Sequence, residues 1–149
     1  MPVSRPTRVL IVAQQAADSP DLVRAVARRA GQGPCSFALM VPVARGGLHR
    51  VGDPRNRTYE DAEAQLNASL PLVSRACGED VVGFVGVSDP LAAVEDALDL
   101  LGFDEVIIAM PPISASRWRD LELPGKVRAL GVDVTVVVTR QDPESEPAA

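Results

Sequence analysis

The stretch RVLIVA, residues 8–13, decides the fold of this 149-residue chain. From Val9 onward every residue in it is apolar, without the polar alternation of a strand that has one face in water. Such a run predicts a strand that is covered on both faces and lies in the middle of a parallel sheet. The segment EVIIAM, residues 105–110, has the same character and predicts a second central strand.

Shorter apolar runs alternate with helical patterns along the rest of the chain. Strands are predicted over residues 8–13, 36–43, 81–87, 105–110 and 132–138, and helices from Pro20, Thr58, Pro90 and about Pro124. This alternation is typical of β-α-β units with right-handed crossovers. The sequence therefore predicts a single-domain α/β fold, a Rossmann-like or flavodoxin-like three-layer α/β/α sandwich whose five-stranded parallel sheet has the order 3-2-1-4-5.

The helices carry their own start signals and apolar stripes. Ser19 precedes Pro20 and Asp21, a typical helix start. Pro71 is expected to kink the second helix. The residues expected to face the core are Leu22, Val23, Val26, Ala27 and Ala30 in the first helix, and Leu91, Val94, Leu98 and Leu101 in the third.

Composition limits the class of protein. Apolar residues make up 46% and charged residues 23% of the chain, so one domain is expected over residues 1–140. Residues 141–149 carry three acids and two prolines and are expected to be a disordered acidic tail. The net charge of −5 argues against nucleic acid or an anionic membrane as a partner.

Processing signals and cysteines favour a cytoplasmic protein. The first apolar run is too short for a signal peptide or a membrane span. Cys35 and Cys77 have no metal-ligand spacing, and both are expected to be buried small apolar residues. His49 is the single histidine, which excludes a site with two histidine ligands and leaves a general base without an identified partner.

The predicted topology places a candidate ligand site between strands one and four. In open α/β sheets, ligands bind at the carboxyl ends of the strands, where the winding direction reverses. The candidate ligand-binding residues follow strands one, two and four, and no catalytic or metal-binding residue is predicted. They are Gln14 and Gln15 after strand one, Arg45 and Arg50 after strand two, and Met110, Pro111, Ser114, Ser116, Arg117, Trp118 and Arg119 at and after the end of strand four.

Two of these segments allow more than one interpretation. The loop predicted over residues 44–57 contains Arg45, His49, Arg50, Arg55 and Arg57 against the single acid Asp53, and either holds an anion or is solvated. Trp118, flanked by Arg117 and Arg119, either stacks on a base beside a phosphate or packs as a lid on apolar surface. Ser114 and Ser116 lie outside any G-x-S-x-G motif and are expected to be caps or loop-stabilising hydroxyls.

The segments RVLIVAQQAADSPDLVRAVARRA (8–30), DEVIIAMPP (104–112) and GVDVTVVV (131–138) resemble the universal stress protein family. PPISASRW (111–118) and LELPGKV (121–127) are similar to an actinobacterial subgroup that lacks the family's nucleotide loop. The resemblance implies ATP or AMP as the candidate cofactor and a homodimer through the last strand, Val132 to Val138. An apolar strand at the edge of a sheet also favours pairing with the same strand of a second copy.

The nucleotide loop of the family is not preserved in this chain. ATP-binding members carry G-x-x-G-x9-G-[ST] after strand four, whereas here Pro111 and Pro112 remove two amide donors and no glycine follows before Gly125. Gln14 and Gln15 stand where the family tends to place an aspartate. Three hypotheses follow: a non-enzymatic domain that binds a small anionic or nucleotide-like ligand, an interaction protein without a ligand, and a nucleotide hydrolase.

Overall fold

The computed structural model describes residues 6–13, 19–43, 54–86, 90–110 and 123–139. Within these ranges, five parallel strands form one sheet in the order β3-β2-β1-β4-β5. The strands are β1 (Thr7–Ala13), β2 (Cys35–Pro42), β3 (Val82–Gly86), β4 (Glu105–Met110) and β5 (Asp133–Val138). The helices are α1 (Pro20–Ala30), α2 (Pro54–Cys77), α3 (Pro90–Leu101) and α4 (Leu123–Arg128). The predicted Rossmann-like α/β fold and strand order are confirmed.

Strand β1 is central, as its apolar run indicated. Ile11 lies between Leu39 of β2 and Ile107 of β4, and all three side chains are buried. Because successive side chains of a strand point to opposite faces, the two faces of the sheet build two separate cores. Val9, Ile11 and Ala13 belong to one core, and Leu10 and Val12 belong to the other.

Among the described residues, two helices pack on each core. Leu22 and Val26 of α1 pack on one face together with residues of α2. Residues of α3 and α4, including Val94 and Val127, pack on the other face. The face covered by α1 and α2 is called the α1 face below, and the opposite one the α3 face. This distribution follows from right-handed crossovers in a sheet whose winding direction reverses after β3.

The start of α1 has the predicted cap. The Ser19 hydroxyl accepts a hydrogen bond from the Asp21 amide at 3.1 Å, and Pro20 is the first helical residue. The cap satisfies one of the amide donors that the first turn of a helix leaves unpaired. The helix ends at Ala30, next to Gly31, as expected.

Helix α2 differs from the prediction at its start. It begins at Pro54, whereas the sequence placed residues 54–57 in a loop and the helix start at Thr58. Arg55 and Arg57 are therefore helical residues. The physical reason is that proline suits the first turn of a helix, where its missing N–H is not needed. Pro71 lies inside this helix, which continues to Cys77.

Two residues predicted to face the core are exposed. Ala27 of α1 lies on the solvent side, and Leu101 at the end of α3 is 45% exposed. The buried stripe of α3 instead includes Ala93 and Ala97. The helix ends at Leu101, and the next residue, Gly102, has a φ of +75°, which glycine adopts at little cost. None of the helices in the described ranges is long and apolar enough to cross a membrane.

Candidate functional site

The carboxyl ends of β1 and β4 form the switch point of the sheet. Ala13 and Ala109 are paired in register there, and both side chains are fully buried. The next described helix after β1, α1, packs on one face of the sheet, and the next described helix after β4, α4, packs on the other. Diverging connections of this kind open a crevice at the edge of the sheet. The topology thus defines the place where the sequence put its candidate ligand site.

Met110 is the candidate residue whose backbone the structure describes. It is the last residue of β4 and pairs with Val138 of β5. It therefore lies at the carboxyl edge, beside the switch point. The other candidate residues lie outside the described ranges; they are Gln14, Gln15, Arg45, Arg50, Pro111, Ser114, Ser116, Arg117, Trp118 and Arg119, and His49 lies outside them as well.

Contacts at the amino ends of β1 and β4 fix the alignment of these two strands. The Arg8 amide donates to the Asp104 carboxylate at 3.0 Å, and the Asp104 amide donates to the Arg8 carbonyl at 2.8 Å. The Arg8 guanidinium lies 5.2 Å from the centre of the Phe103 ring, within range of a cation–π contact. These contacts hold the amino ends of the two strands together, so the alignment at the switch point is supported from the far edge.

A bidentate ion pair joins α1 to the start of β4. Arg29 Nε donates to Glu105 Oε1 at 2.9 Å, and Arg29 Nη2 donates to Glu105 Oε2 at 2.8 Å. Both side chains are largely buried, with 18% and 24% of their surface exposed. The hydrogen bond to Glu105 raises the pKa of the Arg29 guanidinium. The two hydrogen bonds between the planar guanidinium and carboxylate groups fix the end of α1 against the sheet.

A groove of about 420 Å³ runs between α1 and β5 on the α1 face. It exists because α1 and α2 cover the other strands on that face, whereas β5 lies beyond α1 at the edge. The helix side of the groove is lined mostly by charged or polar residues, and the sheet side is lined by both polar and apolar residues. The lining residues are Asp21, Arg24, Ala25, Arg28, Arg29, Gln32, Glu105, Ile107, Thr135, Val136, Val137 and Val138.

This groove was not predicted from the sequence. Arg24 and Arg28 are one helical turn apart, so their spacing could have indicated a basic stripe beside the apolar stripe of α1. The contact between Arg29 and Glu105 joins residues 76 positions apart, and no local pattern predicts it. The groove was therefore only partly accessible from the sequence.

The cysteines and acidic residues of the described ranges build no metal site. No group of three His, Cys, Asp or Glu side chains comes together there. Cys35 is buried, and burial raises the pKa of its thiol. Cys77 is half-buried and its thiol donates to the Ser74 carbonyl at 3.6 Å and the Glu79 carbonyl at 3.4 Å. Both are free thiols, and Cys77 is less buried than predicted.

The fold and the switch point together define an open, doubly wound α/β protein of the Rossmann-like class. Solved structures of universal stress proteins share this fold. One universal stress protein, in complex with cAMP, is 18% identical, with a TM-score of 0.59 over 91% of this chain and 99% of that chain.

Two further structures show the same likeness. A universal stress protein family member from Burkholderia pseudomallei is 16% identical, with a TM-score of 0.61 over 91% of this chain and 98% of that chain. The universal stress protein from Archaeoglobus fulgidus, in complex with dAMP, is 14% identical, with a TM-score of 0.57 over the same shares. At these identities the likeness is one of fold. No protein-family model and no curated protein matches the sequence.

Proposed function

We propose that this chain binds a small nucleotide-like anion at the β1–β4 switch point and does not turn it over. The observation that carries the proposal is the pairing of Ala13, the last residue of β1, with Ala109 of β4, together with the packing of the following helices α1 and α4 on opposite faces of the sheet. Proteins of the same fold have been solved with cAMP and with dAMP, which supports a nucleotide as the ligand class.

Recognition by this chain is proposed to rely on side chains. Pro111 and Pro112 directly follow Met110 and cannot donate backbone hydrogen bonds to a phosphate. The phosphate contacts therefore fall to guanidinium and hydroxyl groups, for which Arg117, Arg119, Ser114, Ser116, Arg45 and Arg50 are the candidates. A cradle of side chains tolerates differences in phosphate number better than a fixed cradle of amides does.

The base is proposed to be recognised by stacking and by amide groups. Trp118 offers the largest aromatic face in the chain, and base–aromatic stacking contributes about 1–3 kcal/mol per base. Gln14 and Gln15, which follow β1, offer both hydrogen-bond donors and acceptors for a base or a ribose. We therefore expect binding to depend on the base and not on phosphate alone.

We also propose that the protein is a homodimer through β5. This strand lies at one edge of the sheet, so one side of its backbone has no neighbouring strand among the described residues. Val136 and Val138 are 37% and 47% exposed on it. An exposed apolar edge is a template for pairing with a second copy.

The free thiols Cys35 and Cys77 fit a reducing compartment, for which we propose the cytoplasm.

A second candidate function is an interaction protein that binds no small ligand. The Pro111-Pro112 pair favours it, because two prolines stiffen the backbone where a phosphate cradle needs free amides. In that case the switch-point crevice is filled by the chain's own side chains. A nucleotide hydrolase is the third candidate and lacks an identifiable general base.

Titration calorimetry separates these functions. Wild-type protein is titrated with AMP, ADP, ATP and inorganic phosphate, and the variants Gln14→Ala and Trp118→Ala are titrated with the same ligands. We expect nucleotides to bind, phosphate alone to bind more weakly, and each variant to weaken nucleotide binding by roughly tenfold, as loss of a stacking or hydrogen-bonding group implies.

A matched control keeps this result interpretable. Arg75→Ala removes an exposed arginine in the last turn of α2. This turn precedes the amino end of β3, so it lies at the end of the sheet opposite the switch point. The variant should leave nucleotide binding unchanged. Equal weakening in all three variants would argue against a site at the switch point. Phosphate release with Mg²⁺ that depends on Arg119 would instead favour the hydrolase.

A further inference from the structure

The groove between α1 and β5 has more positive than negative charge, although the chain as a whole carries −5. Arg29 is neutralised by Glu105 and Arg24 is paired with Asp21. The Arg28 side chain is exposed, and among the described residues it takes part in neither of the two ion pairs, Arg24–Asp21 and Arg29–Glu105. Arg24 is itself 55% exposed, so its guanidinium is accessible to a second carboxylate. The exposed wall of the groove is therefore suited to an anionic occupant.

The chain carries a segment of matching charge after β5 in the sequence. Residues 141–149 have the sequence QDPESEPAA, in which Asp142, Glu144 and Glu146 are the charged residues. They follow β5, whose last residue, Val138, lines the groove. Asp142 is four positions after Val138 in the sequence, a distance that an extended chain spans in at most about 14 Å. The first acid can therefore reach the groove without any movement of the sheet.

We propose that the acidic segment 141–149 docks in the α1–β5 groove of its own chain and pairs with Arg24 and Arg28. Helix α1 runs from the carboxyl edge of the sheet to the amino edge, because it connects β1 to the parallel strand β2. Asp21 therefore lies near the end of β5, and Arg24 and Arg28 lie successively further along the groove. The segment turns back from Val138 and follows the helix in that direction.

The spacing of the charges fits this arrangement. Arg24 and Arg28 are four helical residues apart, which corresponds to about 6 Å along α1. Alternate residues of an extended chain are about 6.6 Å apart and point to the same side. Two successive acids of the segment therefore match two successive arginines of the helix. Pro143 favours an extended conformation of Asp142, which precedes it.

The prolines also indicate a groove and not the sheet edge as the docking place. Pro143 and Pro147 lack the N–H group that a strand added to β5 would need. The docked segment lies over the α1 face, so it leaves the backbone edge of β5 accessible to a second copy. The proposal is consequently independent of the nucleotide site.

Carbodiimide cross-linking of the full chain tests the proposal. The reagent joins a lysine amine to a carboxylate, and Lys126 is the single lysine of the sequence. The variant Arg28→Lys keeps the charge and places an amine on α1 in the groove. After digestion with trypsin, which cleaves behind Arg140, mass spectrometry should detect peptide 141–149 joined to position 28.

Two controls define the specificity of the cross-link. Arg75→Lys places an amine on an exposed part of α2 outside the groove, and should give at least roughly tenfold less cross-linking to peptide 141–149. At 1 M salt the Debye length falls to about 3 Å, so the cross-link at position 28 should be largely lost. Equal yields at positions 28 and 75, or no cross-link at either, would overturn the proposal.

A mixing experiment and a second variant distinguish docking in one chain from docking between chains. Cross-linking of ¹⁴N and ¹⁵N protein that has been unfolded and refolded together should give peptides of uniform label; mixed-label products in the statistical proportion would overturn docking within one chain. Replacing Asp142, Glu144 and Glu146 by their amides should shift NMR amide signals of Arg24–Gln32 and Thr135–Val138. Shifts confined to residues 139–149 would contradict the proposal.

Discussion

At the scale of single residues, the contact between Arg29 and Glu105 is a bidentate ion pair. Its two hydrogen bonds of 2.8 and 2.9 Å join a helix to a central strand. Glu105→Gln keeps the shape of the side chain but removes its charge, and leaves a largely buried guanidinium poorly paired. We expect the free energy of unfolding to fall by about 1–3 kcal/mol, measured by urea denaturation.

The exposed pair of Arg24 and Asp21 provides the control for this prediction. Arg24→Gln removes a charge from the same helix, but the Arg24 side chain is 55% exposed. Exposed pairs contribute little, so the loss should stay below about 1 kcal/mol. Equal losses in the two variants would show that burial does not set the strength of the Arg29–Glu105 pair.

Cys35 gives a prediction about pH. Burial raises the pKa of its thiol above the ordinary value of 9.0, so the unfolded chain loses this proton at lower pH than the folded chain. The stability that the protonated thiol contributes is therefore complete below about pH 9 and falls as the pH rises through the folded-state pKa. The stability difference between wild type and Cys35→Ala should shrink between pH 7 and pH 10.

The same burial should slow chemical modification of Cys35. The variant Cys77→Ala retains only Cys35, and Cys35→Ala retains only the half-buried Cys77. The thiolate is the reactive form of cysteine. Because Cys35 is buried and its pKa is raised, the Cys77→Ala variant should react more slowly with a disulfide reagent than the Cys35→Ala variant. Faster reaction of the chain that retains only Cys35 would contradict its buried position.

At the scale of elements, strand β3 touches both neighbouring helix layers through glycines. A Cβ at Gly86 would lie 2.8 Å from Met40 Sδ and 3.0 Å from Ala93 Cβ in α3. The three atoms nearest to a Cβ at Gly83 would be methyl carbons of Leu66 and Leu70 in α2, at 2.8–2.9 Å. Leucine ends can rotate away, whereas Ala93 Cβ is fixed to the backbone of its helix.

These contacts predict unequal effects of the same substitution. Gly86→Ala should destabilise the protein by about 1–3 kcal/mol, because α3 has to move outward from the sheet. Gly83→Ala should cost less, because the side chains of α2 can adapt. Thermal unfolding monitored by circular dichroism measures both changes, and a larger loss in Gly83→Ala would contradict the packing described for β3.

The elements differ in how far the sequence determined them. The unbroken apolar runs of β1 and β4 correctly predicted buried central strands, because burial on both faces leaves no place for polar residues. Helical periodicity located α1 and α3 but not the width of their buried stripes, so Ala27 and Leu101 were placed wrongly. The width depends on the neighbouring helices, which a local pattern does not contain.

The sequence predicted the location of the candidate site, but not the contacts between residues that are distant in sequence. Strand order alone assigns the switch point to the ends of β1 and β4, and the structure confirms that order. The ion pair of Arg29 and Glu105 and the groove beside it depend on residues distant in sequence, so no local motif could reveal them. The roles of Gln14, Trp118 and the other candidate residues stay predictions.

At the scale of the whole molecule, the proposed dimer predicts a change of mass. Val136→Lys places a charge on the exposed edge strand β5, and the charge would have to be buried or repelled in a paired edge. We expect light scattering to give the mass of a dimer for wild type and of a monomer for the variant. Val82→Lys, at a position 67% exposed on the opposite edge strand, should stay dimeric. A monomeric wild type would refute pairing through β5.

The proposed ligand site is tested most directly by thermal unfolding of the purified protein with AMP, ADP, ATP, cAMP or inorganic phosphate at about 1 mM. A ligand with a dissociation constant near 10 μM would add about 2.7 kcal/mol of stability, which corresponds to roughly 5–10 °C in a domain of this size. We predict a shift with one or more nucleotides and none with phosphate. Unfolding temperatures unchanged by every nucleotide, or raised equally by phosphate, would contradict a base-recognising site at the switch point.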